Sequence, residues 1–315
     1  MKEYGGYFEL ENFRGNEYHR QAIRLNSARN SIVYLMRAKK INKLYIPYFL
    51  CNSVKNILIK HNLIFEEYHI DKNLRPILEN KLKNNEYVLI VNYFDQLQDI
   101  EIQEFKGAYN NVIVDNTQSF FRKELQGIDS FNSCRKFFGV PDGSYLYTDS
   151  VLTENLERDK SYERMIHLLG RFEVDASSFH SFFSKNDAKI SDIPLKKMSK
   201  LTKNLLSGID YDFAFEQRMN NFNLFFHAFE KENVLNLTPG KFCYPLYIEN
   251  GEYIRKKLIE KKIYVPILWP NIQYSEGASE LEKSFAKDIV NLPCDHRYDE
   301  NDVKFIIEEV KRCIN

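Results

Sequence analysis

The chain has 315 residues, enough for one large domain and a smaller one. Hydrophobic residues make up 43%, which suits a sizeable core. Lysine plus arginine and aspartate plus glutamate both number 44, so the formal net charge is zero, which argues against nucleic-acid or membrane-surface partners, and no apolar run approaches a membrane span.

Residues 1–20 are polar and aromatic and read as an arm or short hairpin. They begin Met1-Lys2-Glu3-Tyr4-Gly5-Gly6, without a signal-peptide apolar core. Leu25-Asn26-Ser27-Ala28-Arg29-Asn30 precedes the helical run Ile32-Val33-Tyr34-Leu35-Met36. Small polar residues there cap the helix, and the free N–H groups of a helix start favour an anion. An ordinary cap would use the same residues. Lys43–Pro47 reads as a strand, followed by Tyr48-Phe49-Leu50-Cys51-Asn52-Ser53, a helix from Val54 to about His61, and a strand over Leu63–Asp71: a βαβ unit. Glu86–Phe94 is a further strand, ending in the polar and aromatic cluster Asn92-Tyr93-Phe94, and a helical pass follows near residues 100–107.

Next comes the apolar strand Val112-Ile113-Val114, ending on Asp115-Asn116-Thr117-Gln118. A strand that delivers an acid at its C-terminal end is how an open α/β sheet presents a ligand-binding carboxylate. The chain continues through Ser130-Phe131-Asn132-Ser133-Cys134-Arg135-Lys136 to the turn signals Gly139, Pro141 and Gly143. A serine three residues before a lysine can set an amine beside a phosphate. Pyridoxal 5'-phosphate (PLP) requires those parts: an amine that attacks its carbonyl, an acid on its ring nitrogen, and hydroxyls on its phosphate. A buried strand acid and a surface lysine are the plain alternative.

This stretch resembles the fold-type I PLP-dependent aminotransferases, and within them the DegT/StrS family of sugar aminotransferases. That family carries an aspartate, a glutamine three residues on, then a Ser-Phe-x-x-x-Lys segment and a Gly-rich turn; Asp115, Gln118 and Ser130-Phe131 match. The resemblance implies that Asp115 pairs with the ring nitrogen, Thr117 packs on the ring, Gln118 faces the phenolic oxygen and Lys136 bonds the cofactor. Lys136 stands six residues after Ser130 rather than five. An ungapped match would put Arg135 in its place, and an arginine stays protonated and cannot serve. A one-residue shift keeps Ser133 three residues before Lys136, and the resemblance implies that Ser27, Ser130 and Ser133 hold the phosphate. Ser27-Ala28-Arg29 matches the family's phosphate-holding Ser-Gly-Thr/Arg string, with alanine for glycine. The aromatic that stacks on the ring would be Phe49, with Tyr48 second, and Asn92 and Tyr93 would lie near the substrate.

Ser144–Asp149 is an alternating strand. Helical spacing follows around Tyr162–Leu169, then a break at Asp175–His180, whose lone histidine the chemistry does not need. A long helical region opens at Met198-Ser199 and runs through Leu206, Ile209, Phe213, Arg218 and Phe222. The family's Asn-x-Arg-Met segment, which reaches a neighbouring subunit's cofactor, reads Leu195-Lys196-Lys197-Met198 here. Phe242–Ile248 is a strand, Gly251–Lys261 a helix, and Asp299–Asp302 an acidic start to a terminal helix. The five cysteines, Cys51, Cys134, Cys243, Cys294 and Cys313, lack metal-ligand spacing and read as free thiols of a reducing cytoplasm. Cys134 reads as packing.

The expectation is therefore an α/β protein. Residues 1–220 form a fold-type I PLP-binding large domain with a mostly parallel seven-stranded sheet, and residues 221–315 a smaller α+β domain. The implied activity moves an amino group from an amino-acid donor to a keto-sugar, nucleotide-linked and destined for surface glycans, in a cytoplasmic homodimer that needs no metal. The alternative is a relative with altered PLP chemistry, such as dehydration, or a non-catalytic binding subunit. Dehydratases of the family put histidine at the lysine position, and none stands near residue 136.

Overall fold

The structure is a computed structural model that describes residues 4–79 and 81–314; Met1, Lys2 and Glu3 of the expected arm lie outside the described residues. In chain order the first half holds β1 (Ile23–Leu25), α1 (Ala28–Ala38), β2 (Lys43–Pro47), α2 (Asn52–Lys60), β3 (Ile64–Ile70), β4 (Pro76–Ile77), β5 (Glu86–Val91), α3 (Asp99–Tyr109), β6 (Val112–Asn116), β7 (Asp129–Asn132) and β8 (Ser144–Tyr147). The second half holds α4 (Ile166–Glu173), α5 (His180–Asp192), α6 (Lys200–Leu206), α7 (Tyr211–Phe229), β9 (Tyr244–Tyr247), α8 (Gly251–Glu260), α9 (Glu280–Asp288), β10 (Ile289–Leu292) and α10 (Glu300–Ile314).

The large sheet has the order β1-β8-β7-β6-β5-β2-β3-β4. Its centre, β7-β6-β5-β2-β3, is parallel, with β8 antiparallel on β7, β1 antiparallel on β8, and β4 antiparallel on β3. Seven strands match the expectation, and the eighth is the two-residue β4. The central strands are apolar along their length because helices cover a parallel sheet on both faces; Val88–Val91 and Val112–Val114 are all buried. Two reversals, at β8 and at β1, return β1 to the direction of β6 and β7. The C-terminal ends of β1, β6 and β7 therefore leave the sheet at one edge, the edge where open α/β sheets hold ligands.

β9 and β10 form a separate antiparallel pair packed against α7, α8 and α9. Helix α7 runs unbroken through residue 220. The expected acidic start of α10 is present: Asp299 Oδ1 accepts from the N–H groups of Asn301 (2.8 Å) and Asp302 (3.0 Å). The long helical region from Met198 is two helices, separated at Ser207–Asp210. Described residues 4–20 contain no strand, so the arm is not a hairpin. Tyr7 and Phe8 are 98% and 99% exposed, and the arm is tied down where Phe13 N donates to Asn204 Oδ1 (2.9 Å).

Candidate active site

Strand β6 carries Asp115 to the sheet edge, where the chain turns and Thr117 N donates to Asp115 Oδ1 at 2.8 Å. Lys136 arrives from a short turn after β7, and its Nζ donates to Thr117 Oγ1 at 3.4 Å. One threonine therefore links the expected acid to the expected amine. The Lys136 side chain is accessible to solvent although protein surrounds it closely. Burial pushes its amine below the ordinary lysine value; Asp115 opposes this most, followed by Cys51, Cys243 and Asp187. The Asp115 carboxyl is pushed up by burial, opposed first by the Lys136 charge and then by its bonds from Thr117. The Phe242 ring lies 5.7 Å from Nζ.

Three ties hold the lysine turn. Cys134 N donates to Gly143 O (3.1 Å), and Gly143 N donates to Asn26 O (2.9 Å), joining the turn to the residue just before Ser27. Gly143 has φ +117°, a backbone region glycine adopts freely. The buried Asp142 accepts from Ser199 N (2.9 Å), Ser199 Oγ (2.7 Å) and the Thr202 hydroxyl, fixing the Pro-Asp-Gly turn to the start of α6. On the far side of the lysine the buried Arg218 of α7 donates to Phe137 O (2.8 Å) and Lys241 O (2.9 Å), with its guanidinium 4.7 Å from the Phe137 ring centre.

Gln118 has no exposed surface; its Oε1 accepts from Phe94 N at 2.7 Å, and its buried Nε2 has no partner. Ser27 caps α1, its hydroxyl accepting from Asn30 N at 3.2 Å, and Ala28 opens the helix. That helix start is at the same sheet edge as Asp115. Arg29 turns to α5, where its Nη1 donates to Ser191 Oγ at 3.0 Å. Ser133 is half-buried directly before the lysine turn and makes no capping bond.

Four expectations are corrected. Ser130 pairs with Val114 inside the sheet, one position before the Asp115–Phe131 pair, so the pleat turns its side chain to the face opposite Asp115. Phe49 is wholly buried, its ring packed at 5.0 Å on Trp269 and 5.4 Å on Tyr93, with no accessible face for a ligand ring. Asn92 spends its amide within the fold: Nδ2 donates to Asn116 Oδ1 (3.0 Å) and Oδ1 accepts from Leu97 N (2.9 Å). Tyr93 donates its hydroxyl to Phe49 O (2.6 Å) in the core. Tyr48, the second aromatic, stacks on His69 at 4.7 Å.

Cys134 is buried packing, as expected, and His180 is exposed at the start of α5. Sequence reasoning missed Cys51, Cys243 and Asp187 around the lysine, since each comes from a different part of the chain. Arg218 left a signal, a charge inside the apolar stripe of Phe213, Phe215 and Phe222. Among the described residues no cluster of histidine, cysteine or carboxylates could hold a metal, and no helix is long and apolar enough to cross a membrane.

No family model matches the chain, and no curated protein matches it by sequence. Its fold is that of solved sugar-aminotransferase structures. A DegT DnrJ EryC1 StrS aminotransferase from Brucella abortus is similar over 93% of this chain and 85% of its own, with TM-score 0.62 and 13% identity. The Bacillus subtilis protein ntda, solved with bound cofactor PMP, is similar over 94% of this chain and 74% of its own, with TM-score 0.65 and 13% identity. DesI, solved in the presence of its TDP-sugar product, is similar over 94% and 81%, with TM-score 0.63 and 11% identity.

Proposed function

We propose that the chain is a PLP-dependent aminotransferase that moves an amino group from an amino-acid donor to a keto-sugar. The observation that carries this reading is the meeting of Asp115 and Lys136 through Thr117 at the ligand-binding edge of the sheet. The residues present fit PLP: an enclosed amine held below its ordinary basicity, a buried carboxylate beside it, and the orphaned Nε2 of Gln118 as a spare donor.

In this reading Asp115 would pair with the ring nitrogen, Thr117 would support the ring, and Gln118 would face the phenolic oxygen. Ser133 and the N–H groups that open α1 at Ala28 and Arg29 take the phosphate. Lys136 would be the residue that holds the cofactor covalently, and its amine, near Thr117, would be the group that moves a proton there. Bound there, PLP supplies an electron sink. A lowered amine basicity serves both duties, since more of the lysine is neutral near pH 7. Residues 1–220 would form the cofactor-holding part and residues 221–315 the smaller part. A nucleotide-linked sugar, a role in surface glycans, a homodimer and a cytoplasmic setting complete the proposal; the TDP-sugar product of the DesI structure supports the first.

The test is spectroscopic. The protein mixed with saturating PLP should gain the visible absorption of a lysine-bound cofactor, lost in Lys136→Ala and kept at saturating PLP in Arg135→Ala. Glutamate should then bleach it, and a keto-sugar should restore it. Absence of the band in the unaltered protein refutes the reading, and a band that glutamate leaves untouched reduces the protein to a cofactor binder.

A further inference from the structure

Arg135, the residue beside Lys136, is largely covered, and its Nη1 lies 3.2 Å from Asp187 Oδ1 on α5. One turn along the same helix, Ser191 holds Arg29. Arg164 pairs with Asp159 at 2.7 Å, and its Nε is buried without a partner. Arg29 and Arg164 both bear electrostatically on Arg135, so three guanidiniums share one neighbourhood with two carboxylates, next to the positive end of α1. Asn186, adjacent to Asp187, is 4% exposed, and neither atom of its amide has a partner. The unpaired buried donors, Arg164 Nε and Asn186 Nδ2, outnumber the one unpaired acceptor, Asn186 Oδ1, and the guanidiniums here outnumber the carboxylates, a balance that favours an anion. The acid now serving Arg135 is itself 53% exposed, a weak partner for a covered arginine.

We propose that Arg135 is an anion-binding residue of the Lys136 site and that Asp187 is its internal placeholder, displaced when a phosphate ester arrives. The ester comes from the cofactor or from a nucleotide-linked substrate, so the proposal rests on the reading of function above. Helix α5 then acts as a gate from within the same chain: its carboxylate leaves Arg135 as the ester takes over the guanidinium, whose fork suits a phosphate.

The test is Asp187→Asn, a change at a half-exposed position that leaves the fold intact. Affinities are measured for PLP, for pyridoxal without the phosphate, and for a nucleoside diphosphate added to PLP-loaded protein. A placeholder at the cofactor's phosphate gives roughly fivefold tighter PLP binding, the scale of one unit charge a few ångström away in water-like surroundings, with pyridoxal unchanged. A placeholder at the substrate's phosphate leaves PLP unchanged and tightens the nucleoside diphosphate. In either case the gain must vanish in Arg135→Gln/Asp187→Asn, whereas a general charge effect would survive. Hydrogen exchange in α5 should rise when the ester binds. Weaker or unchanged binding of both esters, a gain that persists without Arg135, or slowed exchange in α5 overturns the proposal while PLP loading of the unaltered protein stands. If the unaltered protein takes up no PLP, the functional reading itself falls and this proposal with it.

Discussion

Gly143→Ala tests whether the lysine turn depends on one backbone position. An alanine Cβ there would lie 3.0 Å from Thr202 Cγ2, 3.1 Å from Cys134 Sγ and 3.2 Å from Cys134 Cβ, and the residue holds φ +117°. Forcing a side chain into that backbone region costs about 1–3 kcal/mol. Crowding against two buried side chains adds about 1–3 kcal/mol. The expected destabilisation of about 2–6 kcal/mol is a large share of a typical folding free energy of about 5–15 kcal/mol. Relief of the crowding would move Cys134, whose N–H hangs from Gly143 O, and with it the turn that presents Lys136. The assay is urea unfolding, read as a lower midpoint at unchanged slope, paired with PLP affinity from the visible band. Gly139→Ala is the control, because its Cβ would meet only Leu168 Cδ2 at 3.9 Å. If Gly143→Ala costs less than about 0.5 kcal/mol, or if both variants lose PLP equally, the turn is not hung on Gly143.

Arg218→Ala should cost about 3 kcal/mol or more in urea unfolding and weaken PLP binding, since it leaves the carbonyls of Phe137 and Lys241 without their donor; a loss under about 1 kcal/mol would show that water replaces the guanidinium. Iodoacetamide should reach the half-buried Cys51 and Cys313 before the buried Cys134, Cys243 and Cys294, and PLP should shield Cys51 alone; equal shielding of both thiols would separate Cys51 from the site. The Lys136 amine should react with an acylating reagent at a pH below that of ordinary lysines, and Asp115→Asn should lower that pH further, because the strongest opposing charge is gone. The stability sign follows from the same depressed basicity. Folding is favoured above the unfolded-state value and loses stability as pH falls through the folded one, so apo Lys136→Met should unfold at higher urea than the unaltered apo protein at neutral pH. A lower midpoint would mean that the ammonium is well solvated where it stands.

The order of the elements was legible because their apolar periods are strong. Val112-Ile113-Val114 and Val88–Val91 are buried strands, the helix read from Val54 begins two residues earlier at Asn52, and the helical run read from Ile32 belongs to a helix that opens at Ala28. β7 was not legible, although it carries the lysine loop. Three of its four residues, Asp129, Ser130 and Asn132, are polar, and Asn132 turns inward to a buried network, with His19 Nε2 at 3.0 Å and Tyr145 N at 3.3 Å. A strand whose inner face is polar breaks the apolar alternation by which strands are read. The same hidden polarity explains Ser130: motif spacing made it a phosphate contact, while the pleat sends it to the other face.

Asp115 and Lys136 could be paired from sequence because both stand at the end of a strand or just after one, and a parallel sheet brings such ends to one edge. Side chains that reach the same edge from outside that pattern carry no such address. Phe49 and Tyr93 also follow strands, yet apolar rings at a sheet edge are drawn into whatever core is nearest, here the ring of Trp269 from the C-terminal part. Asp187 arrives from a helix beyond the sheet and is tied to the site only by charge. The residue beside the lysine is thus the informative departure. An arginine at position 135 displaces nothing from the turn, because the lysine still reaches Thr117, but it brings a cation beside the lysine that the chain answers with an acid of its own. Under the proposal above, that counter-charge is given up when an anionic ligand binds. The affinity of the Asp187 variant for phosphate esters, and not the presence of the acid, therefore decides what Arg135 is for.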